Sequence, residues 1–205
     1  MRVNAETKAA TRRRILDVAK RMFAEQGFES TTTRDIASAA QIASGTLFNY
    51  FATKEAIVAS LASEAVAVAA ADFANSSRED ASLEEALFAH VAAGLRRLKP
   101  LRKHLPSLLQ TSLSPLAESP DEQAASLRVS HLETVSRLAQ RHGRGELSPV
   151  ALQLYWTLYT GVLAFWANDR SPKQEDTLAL VDQSLNMFVG WLDGPSTESP
   201  SVRKR

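Results

Sequence analysis

The sequence has 205 residues, of which 24 are Lys or Arg and 23 are Asp or Glu, so its formal net charge is +1. This balance excludes a histone-like or polybasic protein, and the absence of Cys excludes disulfide frameworks, thiolate zinc sites and thiol nucleophiles. Hydrophobic residues make up 44% of the chain, which is enough for a packed core. The polar, basic first residues lack the apolar stretch of an export signal, so we expect a cytoplasmic protein.

Helix start and stop signals recur along the chain, whereas the apolar-polar alternation of strands is missing. Two helix starts are especially clear: Ser82 followed by Glu85, and the segment Ser119-Pro120-Asp121-Glu122. We therefore predict an all-α fold of about nine helices. Their expected ranges are 7–26, 33–40, 44–50, 54–74, 82–99, 101–111, 120–141, 149–167 and 173–192.

The near-neutral total charge hides a basic N-terminal end. Seven basic residues and two acids lie between Met1 and Arg21, which gives this segment a charge of +5. Such a run is often only a solvated helix face, but it also suits the phosphate backbone of a nucleic acid. The residues that follow it decide between these interpretations.

Residues 15–51 are predicted to form three helices around a shared core. The first ends at Gly27, and two short helices follow it, joined by a tight turn at 41–43. Two short helices in this arrangement form a helix-turn-helix, whose second helix can lie in the major groove of DNA. The outward residues of that second helix are small or hydrogen-bonding, which permits close approach to base edges. They are Ser44, Gly45, Thr46, Asn49 and Tyr50.

Thr33 and Lys54 begin the helices on either side, where exposed backbone N–H groups suit a phosphate oxygen. The alternative is structural: Thr33 is a plain cap, Lys54 is solvated, and Tyr50 packs in the core. The pattern as a whole favours contact with DNA.

The chain resembles the TetR family of bacterial transcriptional regulators. The resemblance rests on Thr32-Thr33-Arg34-Asp35-Ile36-Ala37, on Ser44-Gly45-Thr46-Leu47-Phe48-Asn49-Tyr50-Phe51 and on Thr53-Lys54-Glu55-Ala56. It implies a homodimer with an N-terminal DNA-binding domain and a ligand-sensing domain, most often a repressor released from DNA by a small molecule. By position, Thr33, Tyr50 and Lys54 would hold phosphates, and Arg34, Ser44, Gly45, Thr46 and Asn49 would face the groove.

Three positions depart from the commonest pattern of that family. Gln41 and Ala43 replace a Gly and a capping Ser or Thr, and Phe48 replaces a Tyr. A left-handed backbone at Gln41 would lack the steric ease of Gly, and Ala43 has no side-chain oxygen with which to cap a helix. Ser44 then either takes over as the cap or contacts DNA. Phe48 cannot donate a hydrogen bond to a phosphate.

The segment 148–168 carries no charge and is long enough to span a membrane. Polar residues interrupt it and its flanks lack a basic bias, so we predict a helix buried on several faces and no membrane insertion. With the last helix it is expected to form the interface of a homodimer, as the resemblance implies; an ordinary intrachain core is the alternative. The predicted interface residues are Leu152, Tyr155, Leu178, Val181, Leu185, Phe188 and Leu192.

The central helices carry apolar residues at helical spacings, whose simplest role is core packing. A pocket between such helices is nevertheless a usual place for a small, largely apolar ligand, and His131 is the candidate polar group inside it. The helix from Lys54 would couple this pocket to the DNA-binding domain. The predicted pocket residues are Leu87, Val91, Leu95, Leu109, His131, Trp156 and Tyr159.

The sequence contains no Gly-rich phosphate loop, His-Glu-x-x-His motif or nucleophile elbow, so we predict no catalytic site, metal or cofactor. We divide the chain into a DNA-binding domain (1–53), a ligand-binding and dimerisation domain (54–193) and a disordered tail (194–205). The expected function is a homodimeric repressor that leaves its palindromic operator when a small molecule binds. The alternatives are an activator or ligand-independent regulator of the same fold, and a helical membrane-associated or scaffold protein.

Overall fold

The computed structural model describes residues 5–76, 81–106, 109 and 122–194. These residues form eight α-helices and no strands, which confirms the predicted all-α fold. The helices are α1 (Ala5–Glu25), α2 (Thr33–Ala39), α3 (Ser44–Phe48), α4 (Lys54–Ser76), α5 (Leu83–Leu98), α6 (Glu122–Arg141), α7 (Pro149–Asn168) and α8 (Glu175–Leu192). Short 3₁₀ helices, Lys99–His104 and Pro172–Gln174, follow α5 and precede α8.

Most predicted boundaries differ from the structure by one or two residues, and two of the differences have a clear backbone cause. The helix expected at 101–111 begins as the 3₁₀ helix Lys99–His104, because Pro100 near its start has no N–H group for an α-helical hydrogen bond. The last helix begins at Glu175 rather than at 173, since Lys173 and Gln174 have left-handed backbones with φ of 53° and 62°. The predicted start at Ser119 and residues 195–205 of the predicted tail lie outside the described residues.

Two of the predicted helices, 82–99 and 149–167, begin with a hydrogen-bonded cap. At α5 the Ser82 hydroxyl accepts a hydrogen bond from the Glu85 N–H at 3.2 Å, and the Glu85 carboxylate accepts one from the Ser82 N–H at 2.9 Å. At α7 the Ser148 hydroxyl accepts from the Ala151 N–H at 3.1 Å, with Pro149 as the first helical residue. These local bonds satisfy N–H groups that have no partner within the helix.

One hydrophobic core runs through the described chain, from Ile15 in α1 to Val189 in α8. Helix α4 packs against α1 at one end and lies against α5 and α6 further along. Helix α5 packs on α8, which in turn packs on α7. Helix α4 is therefore the connection between the N-terminal three-helix unit and the C-terminal body, and the division at residues 53 and 54 stays a prediction.

By length and composition, α7 could cross a membrane. In the folded chain, however, one side of it is inside the core, where Tyr155, Trp156, Tyr159 and Trp166 are all buried. Core helices of this kind also have long apolar sequences. The packing of α7 thus supports the predicted core helix over the membrane-associated alternative.

Candidate nucleic-acid interface and sensor core

The two short helices α2 and α3 are held by a shared core with α1. Ile15, Ile36 and Leu47 are completely buried there, and Phe51 closes the unit beside the start of α4. Helices of five and seven residues are unstable alone, so this packing is what gives them a fixed orientation. The unit therefore presents α3 on a rigid support, as a helix that enters a DNA groove requires.

The start of α2 is fixed by a reciprocal cap between Thr32 and Asp35. The Thr32 hydroxyl accepts a hydrogen bond from the Asp35 N–H at 3.1 Å, and the Asp35 carboxylate accepts from the Thr32 N–H at 3.0 Å and hydroxyl at 2.6 Å. These hydrogen bonds hold the pKa of Asp35 below its usual value. Thr33 follows as the first residue of α2, with its side chain half-buried, and Arg34 is exposed.

The turn between α2 and α3 has an unfavourable residue at two positions. Gln41 adopts a left-handed backbone with φ of 54°, where Gly would be unstrained. Ala43 is the N-cap of α3 and supplies no side-chain hydrogen bond to it. Ser44 is thus the first helical residue and not the cap, which leaves its exposed hydroxyl free to contact a ligand outside the chain.

We expect Gln41→Gly and Ala43→Ser each to raise the free energy of unfolding by about 1 kcal/mol, the first by removing backbone strain and the second by adding a cap. Urea unfolding monitored by circular dichroism measures both. Gln140→Gly is the matched control, because Gln140 is also exposed but lies in a right-handed helix, where Gly is expected to be destabilising. A loss of stability in Gln41→Gly would contradict the assigned backbone strain.

The residues predicted to face DNA lie together at the surface of α3. Ser44, Gly45 and Asn49 are exposed, and Thr46 and Tyr50 are half-buried. A Cβ built on Gly45 meets no other atom within 4 Å, so the helix surface there is open. This arrangement allows a base pair to approach the backbone of α3 closely. That these residues contact DNA remains a prediction.

Lys54 has a structural role that the sequence did not reveal. Its Nζ donates hydrogen bonds to the backbone oxygens of Phe28 at 2.6 Å and Thr31 at 3.0 Å, and lies 3.9 Å from the centre of the Phe28 ring. Lys54 thereby ties the start of α4 to the loop before α2. An ammonium group has three N–H donors, so one stays available for a phosphate.

Arg12 is another basic residue that serves the fold. Its guanidinium donates to the Ser60 hydroxyl at 3.0 Å, lies 3.6 Å from the Glu64 carboxylate and sits over the Phe51 ring. It joins α1 to α4. The basic side chains of α1 that remain exposed are Lys8, Arg13, Arg14, Lys20 and Arg21.

The 3₁₀ helix Lys99–His104 contacts both the N-terminal unit and α7. The His104 ring contacts the Phe28 ring, with centroids 4.8 Å apart and the ring planes tilted by 47°. Two residues earlier, the Arg102 Nε donates to the backbone oxygen of Trp166 at 2.7 Å, and its guanidinium also binds the backbone oxygen of Asp169. We call this segment the joint. Burial, reinforced by neighbouring lysine charges, lowers the pKa of His104 and favours a neutral ring there.

A cluster of buried polar rings lies in the body. The His131 ring is 4.7 Å from the His90 ring and 4.2 Å from the Tyr159 ring, between centroids. Its Nε2 lies 3.1 Å from the Tyr155 hydroxyl, whereas its Nδ1 has no hydrogen-bond partner among the described residues. Burial lowers the pKa of His90 to about 4 and that of His131 well below its usual value, so both rings are neutral at pH 7. Burial likewise raises the pKa of Tyr155 and Tyr159.

A cavity of about 10 Å³ adjoins this cluster, which is about the space that one water molecule occupies. Of the predicted pocket residues, Val91 and Tyr159 line it. Leu87, Leu95, His131 and Trp156 are buried in the core, and Leu109 packs partly buried against that core. The lining residues are Val91, Tyr155, Leu158, Tyr159, Val162, Val181, Ser184 and Leu185. Nowhere in the described chain do three His, Asp or Glu side chains gather as metal ligands would.

Four of the predicted interface residues do not face a partner, so the prediction is wrong for them. Tyr155, Val181, Leu185 and Phe188 are buried within the chain's own core, because the stripe that carries them on α7 and α8 faces inward. The other three reach the surface to different degrees: Leu178 is exposed, and Leu152 and Leu192 are half-buried.

The opposite sides of α7 and α8 leave other apolar side chains at the surface. Val150, Phe165, Met187 and Trp191 are exposed, and Leu154 and Leu158 are half-buried; we call these six residues the outer face. None of these six residues is among the predicted interface residues. The signal was present in α7, where the apolar residues 150, 154, 158 and 165 lie on one helix side, at intervals of four, four and seven residues.

Two family profiles match the chain. The profile described as bacterial regulatory proteins, tetR family, matches residues 15–61, and the one described as tetracyclin repressor-like, C-terminal domain, matches residues 95–198. A curated relative, the HTH-type transcriptional repressor KstR2 of Rhodococcus jostii, is 49% identical over 51 residues. That alignment spans 25% of each protein, so the chain matches only about a quarter of the relative's length.

Two solved structures share the fold over nearly the whole chain. FadR of Thermus thermophilus, a TetR family repressor solved in complex with lauroyl-CoA, is 21% identical with a TM-score of 0.68, and the alignment covers 93% of this chain and 98% of FadR. A TetR transcriptional regulator from Rhodococcus sp. RHA1 is 18% identical with a TM-score of 0.71, covering 89% and 97% respectively. At these identities, the similarity shows a common fold.

Proposed function

The chain belongs to the TetR family of bacterial regulatory proteins, and from that premise we propose that it is a homodimeric repressor that binds a palindromic operator and leaves it when a small molecule binds. The family match supports a DNA-binding transcriptional regulator, and we propose no enzymatic activity for it. We place DNA binding in residues 1–53 and sensing and dimerisation in residues 54–193, and we expect the protein in the cytoplasm, at the nucleoid when bound to DNA. The open outer side of α3 on its rigid support is the observation that carries this proposal.

Dimerisation follows from the size of the reading helix. A helix of five residues reaches too few base pairs for useful specificity, whereas two copies held by a symmetric dimer read both halves of a palindrome. The outer face supplies an apolar surface that a second copy can cover. We therefore propose the outer face, together with Leu152, Leu178 and Leu192, as the dimer interface.

Release by a ligand needs a route from the body to the DNA-binding unit. A ligand that opens the core around Tyr159 would displace α7, because the same helix lines the cavity. Arg102 holds the end of α7, and His104 holds Phe28 in the loop that Lys54 also anchors. The joint can thus carry a shift of α7 to the DNA-binding unit, which couples two sites through two arrangements of one element.

A ligand-independent regulator, or an activator of the same fold, is the second candidate. The small size of the cavity, about 10 Å³, favours it, because a ligand must rearrange the core before it can bind there. The two candidates differ in whether any compound changes the affinity for DNA.

The test begins with a random duplex pool from which the purified protein selects its sites. Enrichment of an inverted repeat is the expected result, and selection of no sequence over random duplex would contradict the proposed operator binding. Small molecules are then added to the selected complex, starting with lauroyl-CoA, the compound bound to the Thermus protein. Release by at least one compound supports the repressor with a ligand; persistence with every compound supports the second candidate.

We expect the logarithm of affinity for the selected duplex to fall linearly with the logarithm of salt concentration, because bound phosphates release counterions. Lys54→Met removes one proposed phosphate contact per subunit, so the slope should decrease by about 2 for the dimer. Fluorescence anisotropy measures this slope. The titration runs from roughly 50 to 200 mM salt, where the affinity of such proteins for DNA changes strongly. Lys173→Met, at an exposed lysine in the 3₁₀ helix before α8, is the matched control and should leave the slope unchanged. An unchanged slope in Lys54→Met would refute the phosphate contact.

A further inference from the structure

Phe48 is unusual for its position on α3. Its side chain is 51% exposed, and among the described residues from 5 to 61 it is the only large hydrophobic side chain that stays exposed. Two other phenyl rings of this unit, Phe23 and Phe51, are 3% exposed and fill the core, and Phe28 and Tyr50 are half-buried against it. A solvent-exposed phenyl ring on so short a helix leaves apolar area in water that the fold itself does not use.

The ring lies beside the open side of α3. Leu47 is turned into the core, and Phe48 follows Ser44 by four residues and Gly45 by three, so all three share the outward part of the helix. Because nothing lies within 4 Å of a Cβ built on Gly45, the backbone there forms a shallow notch next to the ring. An object that approaches the notch would meet hydrogen-bonding groups from Ser44 and Asn49 and an apolar wall from Phe48.

Base edges in the major groove offer one apolar group, the 5-methyl group of thymine. The phenyl ring cannot donate or accept a conventional hydrogen bond, so phosphate oxygens and the polar edges of the other bases give it no comparable partner. We propose that Phe48 packs against a thymine methyl group in each half-site and so selects thymine at that position. This inference rests on the proposed function, since it requires α3 in the major groove.

The contact adds selectivity that its neighbours lack. Hydroxyl groups of Ser and Thr bond to several bases, so Ser44 and Thr46 discriminate weakly. Cytosine has the same ring size as thymine but no methyl group, and it presents a donor where thymine has an acceptor. Phe48 therefore distinguishes the two pyrimidines by an apolar contact, and the chain repeats that contact in both halves of a palindrome.

The test uses the duplex selected from the random pool and copies in which deoxyuridine replaces thymine, pair by pair at symmetric positions. Deoxyuridine pairs as thymine does and lacks only the methyl group. Loss of one buried methyl contact weakens binding about fourfold, so one symmetric pair should weaken the wild-type protein about 15-fold. Phe48→Ala should bind the thymine and deoxyuridine duplexes equally, and Phe48→Leu should keep part of the difference.

Each outcome decides the inference. Wild-type affinity that is insensitive to deoxyuridine at every position overturns it, and so does Phe48→Ala that retains the full loss. The proposal is also overturned if the wild type does not distinguish the two duplexes and Phe48→Ala binds both more weakly by the same factor. Phe48 would then pack against the DNA backbone and not against a thymine methyl group. Failure to select any duplex contradicts the proposed function itself. Because Phe48 is exposed, Phe48→Ala should melt at the wild-type temperature.

Discussion

Lowering the pH from 7 to 4 is expected to reduce the free energy of unfolding by about 3 kcal/mol through His90 alone, and by more with His131 included, because the unfolded chain binds protons that the folded core excludes. The pKa of His90 is lowered to about 4 from 6.5, first by burial and then by the positive charge of Arg137. The pKa of His131 is lowered further by burial and by His90. Each pH unit within that interval is worth about 1.4 kcal/mol for one such group.

The direction and the pH window follow from those pKa values. Above pH 6.5, His90 is neutral in both states and contributes no pH dependence; between 6.5 and 4 only the unfolded chain takes up its proton, so stability falls as the pH falls. Carboxylates whose pKa is lowered, such as Asp35 and Asp169, lose their stabilisation mainly below their ordinary pKa of 3.8. The change in the free energy of unfolding between pH 6.5 and 4 therefore comes mainly from the buried histidines.

Urea unfolding at half-unit steps of pH measures the slope. The double variant His90→Leu and His131→Phe should lose most of the pH dependence, although its stability at pH 7 should be lower than that of the wild type, because the buried Tyr155 hydroxyl loses its contact with His131 Nε2. His104→Gln is the control for a half-buried histidine and should remove a smaller part. A double variant with the full wild-type slope would show that other groups cause it.

The local part of this fold could be predicted from sequence because its signals are local. The cap residues Ser82 and Ser148 and the turn at Gln41 act on N–H groups or backbone angles within four residues, and the structure places helix ends at all three. The same locality let the segment from Ser44 to Phe51 identify the family. Long-range bonds have no such signal: nothing near Lys54 in the sequence points to the backbone oxygens of Phe28 and Thr31.

The orientation of α7 and α8 could not be predicted for a different reason. Both sides of these helices carry large apolar residues, so the hydrophobic pattern alone gives no preference between them. Packing of α7 on α6 and α8, and of α8 on α5, decides that Tyr155 and Phe188 face the core, while Phe165 and Met187 stay outside. The predicted interface followed the apolar stripe with the more regular spacing, and that stripe faces the core.

Replacement of Phe165 and Met187 on the outer face by Asp is expected to separate the proposed dimer and to reduce affinity for the selected duplex by about 100-fold or more. Met187 is 68% exposed and Phe165 is 44% exposed in the single chain, so the substitutions should leave the fold intact. In a symmetric interface each substitution appears twice, which would leave four buried carboxylates without partners. Loss of the dimer removes the second reading helix and with it the gain from two linked half-sites.

Sedimentation at several concentrations measures the assembly, and fluorescence anisotropy measures the affinity. Val68→Asp is the matched control, since Val68 is 45% exposed on α4 and lies outside the outer face. It should remain dimeric and bind as the wild type does. A Phe165→Asp and Met187→Asp variant that stays dimeric would place the interface elsewhere. A variant that becomes monomeric but keeps its affinity would mean that a single α3 is enough for DNA binding. We do not expect this result, because a helix of five residues can reach only a few bases.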